Sequence, residues 1–348
     1  MTRSQRSRIG LTGVLLTALA ASACGSGATA HGSAASTKAS ASAPTGERTP
    51  PGRIVFRRYT DDSETRGALF TAAPDGTGER RLTNPPPDAV DQEVDWSPDG
   101  RRLVFTRVVA EGSDHESHRI AEVAADGSGL RFLCRHGCGG FDDYGVFSPD
   151  GRRIAIAHGS GKARDGQLEH VDIWVMDADG GHRRNLTRSA PYSGVRGGVA
   201  WSPDGRRLVF AVQLPPASRP SGGRALFLVN SDGSGLGRLT PWRLGANGTP
   251  DWSSKQDVIV FRSVQDEESG VGNFFTIRPD GSGLTQVTHF SDSELSHKVG
   301  FSPDGRWIVF GSTPRGGASD INVARINGSG LHEVTRTPVS EGAPDWTS

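Results

Sequence analysis

Trp96-Ser97-Pro98-Asp99-Gly100-Arg101-Arg102-Leu103-Val104-Phe105 is the stretch that decides the fold. Proline presets φ near −65° at the second position of a turn, and glycine supplies a left-handed residue. A strand therefore ends at the tryptophan, turns sharply, and re-enters as Leu103-Val104-Phe105. That apolar run does not alternate with polar residues, so both faces of the second strand are expected to be buried. A strand buried on both faces needs a layer on either side.

The motif recurs. An aromatic followed by Ser-Pro-Asp-Gly, or a relic of it, stands at Trp96, Phe147, Trp201, Trp252, Phe301 and Trp346, 45 to 54 residues apart. Each of the apolar runs 54–56, 103–105, 154–156, 208–210, 258–261 and 308–310 follows such a turn or, in the first case, opens the repeats. Asp-Gly, Pro-Asp-Gly or Asn-Gly turns lie at Gly76, Gly127, Gly180, Gly233, Gly281 and Gly328. They lead to segments ending at Thr83, Thr187, Thr240, Thr288 and Thr335, with Leu133-Cys134 in the second repeat. Every unit thus holds four strand-like pieces, A to D, with A ending at the aromatic. Such periodicity marks a repeat architecture, and sheets sandwiched between sheets mark a propeller. The first unit lacks its A piece at Ile54, and the tail Ala343-Pro344-Asp345-Trp346 is an A piece without a B piece. The expected fold is all-β: a six-bladed β-propeller of four-stranded antiparallel blades, closed by pairing the C-terminal A strand with the N-terminal B, C and D strands.

The units resemble those of the TolB-like propeller family, related to WD-type repeats, over about residues 53 to 348. The resemblance implies a six-bladed ring used as a binding platform in the bacterial envelope. It implies no single ligand, since this architecture hosts many functions.

Upstream of the repeats the composition changes. Arg3, Arg6 and Arg8 precede an apolar run from Leu11 to Ala21, the pattern of an export signal over residues 1–24. Ala21-Ser22-Ala23-Cys24 reads either as a lipobox with Cys24 as the acylated residue or as an ordinary cleavage site that leaves a secreted protein. Residues 25–51 are mostly Gly, Ser, Ala, Thr and Pro and are expected to form a disordered tether before the propeller at 52–348. Of three cysteines, Cys134 and Cys138 are near neighbours expected to pair as a disulfide in an oxidising compartment, which leaves Cys24 for lipid. Cys134 and Cys138 with His136 make an awkward zinc tetrahedron, and no metal or other cofactor is expected.

Lys+Arg and Asp+Glu are balanced at 39 each, which argues against counterion-release binding to nucleic acid. The turn aspartates Asp99, Asp150, Asp204 and Asp304 are expected to be structural, and Asp95, Asp251 and Asp345 to hydrogen-bond between blades. No G-x-S-x-G occurs for a serine hydrolase. Gly159-Ser160-Gly161-Lys162 lacks Walker spacing. Strand parity puts the uniform A–B and C–D turns on one face, and the variable B–C loops and D–A connectors on the other. Function is expected on the variable face. There the residues before each A strand should ring the channel mouth: Asp91, Glu93, Asp142, Asp143, Tyr144, Arg196, Asn247, His297, Lys298 and Glu341, a polar set leaning acidic on one side. Exposed Tyr144 and Tyr192 would add contacts, and Asp114, His115, Glu116 and His118 are expected to form a mobile, solvated loop rather than a metal cluster. The expected function is non-catalytic binding of an envelope protein, peptide or glycan by an exported, membrane-anchored monomer. The alternative is a lyase- or lactonase-like enzyme with an acidic or metal-assisted site at the channel mouth, using Asp91, Glu93, Asp142, His297 and Glu341.

Overall fold

A computed structural model describes residues 49–348 apart from 62, 111–115, 134–140, 161–169, 189–194, 215–222, 265–270 and 315–316. The export signal, Cys24, the tether up to residue 48, the Cys134/Cys138 pair, Asp114, His115 and Tyr192 all lie outside the described residues. No helix among the described residues is long and apolar enough to cross a membrane.

The strands fall into six groups of four. Blade 1 joins β24 (Glu341–Thr347) to β1 (Arg53–Tyr59), β2 (Gly67–Ala72) and β3 (Arg80–Arg81). Blade 2 holds β4 (Ala89–Trp96), β5 (Arg102–Ala110), β6 (Glu116–Ala124) and β7 (Arg131–Phe132). Blade 3 follows with β8 (Phe141–Phe147), β9 (Arg153–Ser160), β10 (His170–Asp177) and β11 (Arg184–Asn185). Blade 4 is β12 (Val195–Trp201), β13 (Arg207–Gln213), β14 (Arg224–Asn230) and β15 (Gly237–Arg238). Blade 5 is β16 (Ala246–Trp252), β17 (Ile259–Ser263), β18 (Asn273–Ile277) and β19 (Thr285–Gln286). Blade 6 is β20 (Glu294–Phe301), β21 (Trp307–Thr313), β22 (Asp320–Arg325) and β23 (His332–Glu333). The outermost strand of every blade is only two residues long, which leaves little edge on which another chain could add a strand.

The turn chemistry is that read from the sequence. Ser97 Oγ donates to Asp99 Oδ1 at 2.6 Å, the Arg101 amide donates to the same oxygen at 3.1 Å, and the Arg102 amide donates to Ser97 Oγ at 2.9 Å. The same web recurs around Asp150, Asp204 and Asp304. In five of the six blades the recurrent threonine after the D strand accepts a C-strand amide: Leu69 on Thr83, Ile173 on Thr187, Leu226 on Thr240, Phe274 on Thr288 and Ile321 on Thr335, all at 2.9–3.0 Å.

Six apolar clusters hold the ring, one between each pair of successive blades. Each B strand feeds two of them: Val55 points into the blade 1–2 cluster while Ile54 and Phe56 enter the blade 6–1 cluster. That explains the unbroken apolar runs. Closure is direct: Ile54 is registered with Trp346 and Arg58 with Glu341, and Trp346 shares its cluster with Phe56 and Trp307.

Three aspartates clamp neighbouring blades. The Trp96 amide donates to Asp345 Oδ2 at 2.8 Å, that of Phe147 to Asp95 Oδ2 at 2.9 Å, and that of Phe301 to Asp251 Oδ2 at 2.7 Å. Each carboxylate thus reaches the aromatic landmark of the next blade.

Candidate functional site

All six A strands carry a register shift against their B strands. A bulge adds a residue, bends the strand and re-aims side chains. At five of the six bulges a residue takes the left-handed conformation: Glu93 (φ 51°), Tyr144 (φ 56°), Gly197 (φ 111°), Gly248 (φ 79°) and Ala343 (φ 50°). These bulges coincide with the positions expected to ring the mouth. At Gly248 side-chain space is lacking as well, because a Cβ would stand 2.2 Å from the His297 carbonyl oxygen.

The acidic members of the set are largely consumed. Asp91 is fully buried and accepts both Nε (2.6 Å) and Nη2 (2.8 Å) of Arg107, its register partner on β5. Asp142 accepts from Arg183 at 2.6 Å and lies 2.6 Å from His158 Nδ1. Burial alone would raise its carboxyl; hydrogen bonds from His158 and Arg183 outweigh that and hold it below the usual range. Asp143 contacts His118 Nδ1 at 3.1 Å, and Glu116 lies 3.6 Å from the other ring nitrogen. Burial opposes the imidazolium, but these two carboxylates push His118 up to about 9, so it is a cation at neutral pH. Glu341 is ion-paired with Arg58 at 2.5 Å and accepts from Thr335. Asp91, Asp143 and Asp142 on blades 2 and 3 are therefore neutralised from within by Arg107, His118 and Arg183, none of which the repeat pattern marks.

The remaining members differ. Tyr144, expected to be exposed, is half-buried against the blade 3–4 cluster. Asn247 accepts from Arg262 at 3.4 Å, and the Arg196 side chain lies outside the described residues. Lys298 is 6% exposed, and its ammonium donates to the Val94 carbonyl, crossing from blade 6 to blade 2 past blade 1. Around it stand Glu93, Asp95 and Asp251, whose carboxyls its charge draws down. Burial wins in each case: Glu93 and Asp251 are pushed up to about 7, and Asp95 is raised well above its ordinary value, with Asp345 adding to the rise of both aspartates.

Glu93, His297, Lys298 and Glu341 line one recess of about 330 Å³ with Arg57, Tyr59 and Leu295. Glu93 Oε2 and Arg57 Nε are buried there without a hydrogen-bond partner. The enclosing wall, and then Arg262, Arg57 and Arg224, push the His297 imidazole down to about 4. The residue's outer edge faces solvent, but all three charged neighbours are cations and act in the same direction as burial, so the imidazole is neutral at pH 7. A second recess on the outer edge of blade 6, bounded by Asn322, Leu331, His332, Glu333 and Arg336, contains none of the mouth residues. Among the described residues no three His, Cys, Asp or Glu side chains are grouped to hold a metal ion.

Residues 140–348 match the model of the TolB beta propeller domain. Dipeptidyl-peptidase 5 of Porphyromonas endodontalis is 32% identical over 114 residues, 33% of this chain and 16% of that protein. The Tol-Pal system protein TolB of Anaeromyxobacter dehalogenans is 31% identical over 144 residues, 38% of this chain and 30% of that protein. The chain therefore spans less than a third of the length of either relative. In space it resembles TolB from Acinetobacter baumannii, with a TM-score of 0.62 at 16% identity over 85% of this chain and 66% of that one, a likeness of fold. With the family's model matched over more than half its length and a ring of the same kind in space, the chain belongs to the TolB beta propeller domain family.

Proposed function

We propose that this chain is an extracytoplasmic binding propeller that recognises a protein, peptide or glycan at the channel mouth on its variable-loop face. The observation that carries the reading is the recess beside Arg57, Glu93 and His297. It sits on bulged strands locked between apolar clusters, yet keeps polar atoms unpartnered. A rigid rim with unsatisfied polar groups is pre-organised to bind. Partial similarity to a Tol-Pal system protein supports an envelope partner. Attachment through Cys24 after export, with residues 25–51 as tether, is the arrangement that suits such a role. The enzyme reading is the weaker one, because Asp91, Asp142 and Glu341 are committed to Arg107, Arg183 and Arg58.

The test is photo-crosslinking in intact cells, with the photoreactive residue at His297 in one strain and at His332 on the outer edge of blade 6 in another. A discrete adduct from the mouth position that is absent from the outer position supports the proposal. Equal or absent adducts at both refute it. Cys24→Ser in the same background reports whether the adduct requires the anchor.

A further inference from the structure

The mouth is electrostatically two-sided. On blades 2 and 3, Asp91, Asp142 and Asp143 all meet a cation. On blades 5, 6 and 1 the imbalance is the reverse. Arg57 has no carboxylate within ion-pair distance among the described residues; its Nη1 reaches Gln92 Oε1 only at 3.5 Å, and its Nε is buried without a partner. Arg262 is 8% exposed, makes one long hydrogen bond to Asn247 at 3.4 Å, and also has a buried, unpartnered Nε. A glycine accommodates it: a Cβ at Gly272 would stand 2.7 Å from that Nε. Leaving a buried guanidinium short of acceptors is costly, and a carboxylate matches its fork of donors bidentately. Glu93 and Glu294 line the same recess as Arg57, and Glu93 feels Arg57 while Glu294 feels Arg262, yet among the described residues neither closes an ion pair with them. His297, whose imidazole is neutral, lies in the field of both.

We infer that the blade 5–6–1 side of the mouth is a receptor for a side-chain carboxylate of an acidic peptide, captured by Arg57 and Arg262 beside His297. This rests on the binding reading above and narrows its ligand. A peptide fits better than a sugar because the aromatic of the recess is already covered. Tyr59 is buried, and the Arg57 guanidinium lies over its ring at 4.2 Å, so no aromatic face is left in the recess for a pyranose to stack on.

The probe is a fluorescent, end-blocked (Glu-Gly)₄ peptide followed by anisotropy at low and moderate salt, against its Gln and Lys counterparts and against tetragalacturonate. The Glu peptide should bind at least tenfold more tightly than the Gln or Lys peptide and weaken as salt rises. Arg57→Gln and Arg262→Gln should each reduce that affinity fivefold or more. Arg262→Met should keep or raise the unfolding midpoint, because a guanidinium awaiting a ligand contributes little to the unliganded fold. The inference is overturned if the Arg variants bind the Glu peptide like wild type, if the Gln or Lys peptide binds as well, or if no peptide binds. Tighter binding of tetragalacturonate also overturns it, in favour of a glycan. Should His297 crosslink to a partner with unchanged yield in the Arg57 and Arg262 variants, the binding role stands and only this ligand assignment falls.

Discussion

Replacing Lys298 with methionine tests the interior electrostatics of the ring most sharply. The substitution nearly keeps the volume of a buried side chain but removes the charge that crosses from blade 6 to the Val94 carbonyl on blade 2. Loss of the charged hydrogen bond alone should cost about 1.5–3 kcal/mol. The greater loss falls on Glu93, Asp95 and Asp251, whose ionised forms Lys298 stabilises. Removing one partner from a buried charge group costs about 3–5 kcal/mol. These carboxyls already have raised folded-state values, about 7 for Glu93 and Asp251. A raised carboxyl contributes stability that is full below its unfolded value near 4 and is lost as pH climbs through the folded value. Without Lys298 the folded values rise further, so the loss with pH becomes steeper. At pH 5 the cluster is mainly protonated and the variant should lose only the smaller amount, whereas at pH 8 it should lose the larger. Urea unfolding followed by circular dichroism at both pH values gives the double difference, in which titrations common to both proteins cancel. An equal cost at pH 5 and pH 8, or a greater one at pH 5, would refute the placement of Lys298 as counterion to this cluster.

Asp91→Ala should destabilise by about 3–5 kcal/mol by stranding the Arg107 guanidinium, whereas the pair Asp91→Leu with Arg107→Met should recover most of that in the same urea titration. Thr240→Val and Thr288→Val should each lower stability by about 1–3 kcal/mol, since each leaves a buried amide, that of Leu226 or Phe274, without an acceptor; the Thr288 change should cost the more, because its hydroxyl also donates to Asn273 Oδ1 at 3.0 Å, and thermal unfolding of the two variants checks both. Deleting residues 341–348 removes β24 and with it Trp346 from the blade 6–1 cluster. The truncated chain should lose its single cooperative unfolding transition by circular dichroism.

The ring was legible because its signals are local and repeated. Pro and Gly in a turn, an unbroken apolar run such as Leu208-Val209-Phe210, and an aspartate before an aromatic each report a constraint within a few residues, and six rounds of them report closure. The recurrence of Asp345, Asp95 and Asp251 points to inter-blade hydrogen bonding, and each accepts a hydrogen bond from an amide of the next blade. The mouth was legible only as positions. Counting back from the aromatic found the bulged residues, but a count cannot say which strand supplies the counterion. Asp91 meets Arg107 because the antiparallel register sets them opposite each other, and Asp142 meets Arg183 across 41 residues. Tyr144 is half-buried rather than exposed: it sits at a bulge with φ of 56° and its side chain packs against the blade 3–4 cluster.

These pairings bear on what the mouth can bind. The chain has equal numbers of acidic and basic residues, yet the ring separates them. Along the A strands Asp95, Asp251 and Glu93 surround one lysine, while on blades 5 and 1 Arg262 and Arg57 lack ion-paired carboxylates among the described residues. An anion entering the recess is drawn to Arg57 and opposed by Glu93 as that carboxyl ionises, so it should be held on the arginine side. A cationic ligand would have to displace the arginine field before reaching Glu93, whose carboxyl at neutral pH is only partly ionised. Rim capture of an anion is thus the association this charge arrangement favours, and raising the pH should weaken it: as Glu93 ionises through about 7, its charge opposes a second carboxylate held beside Arg57.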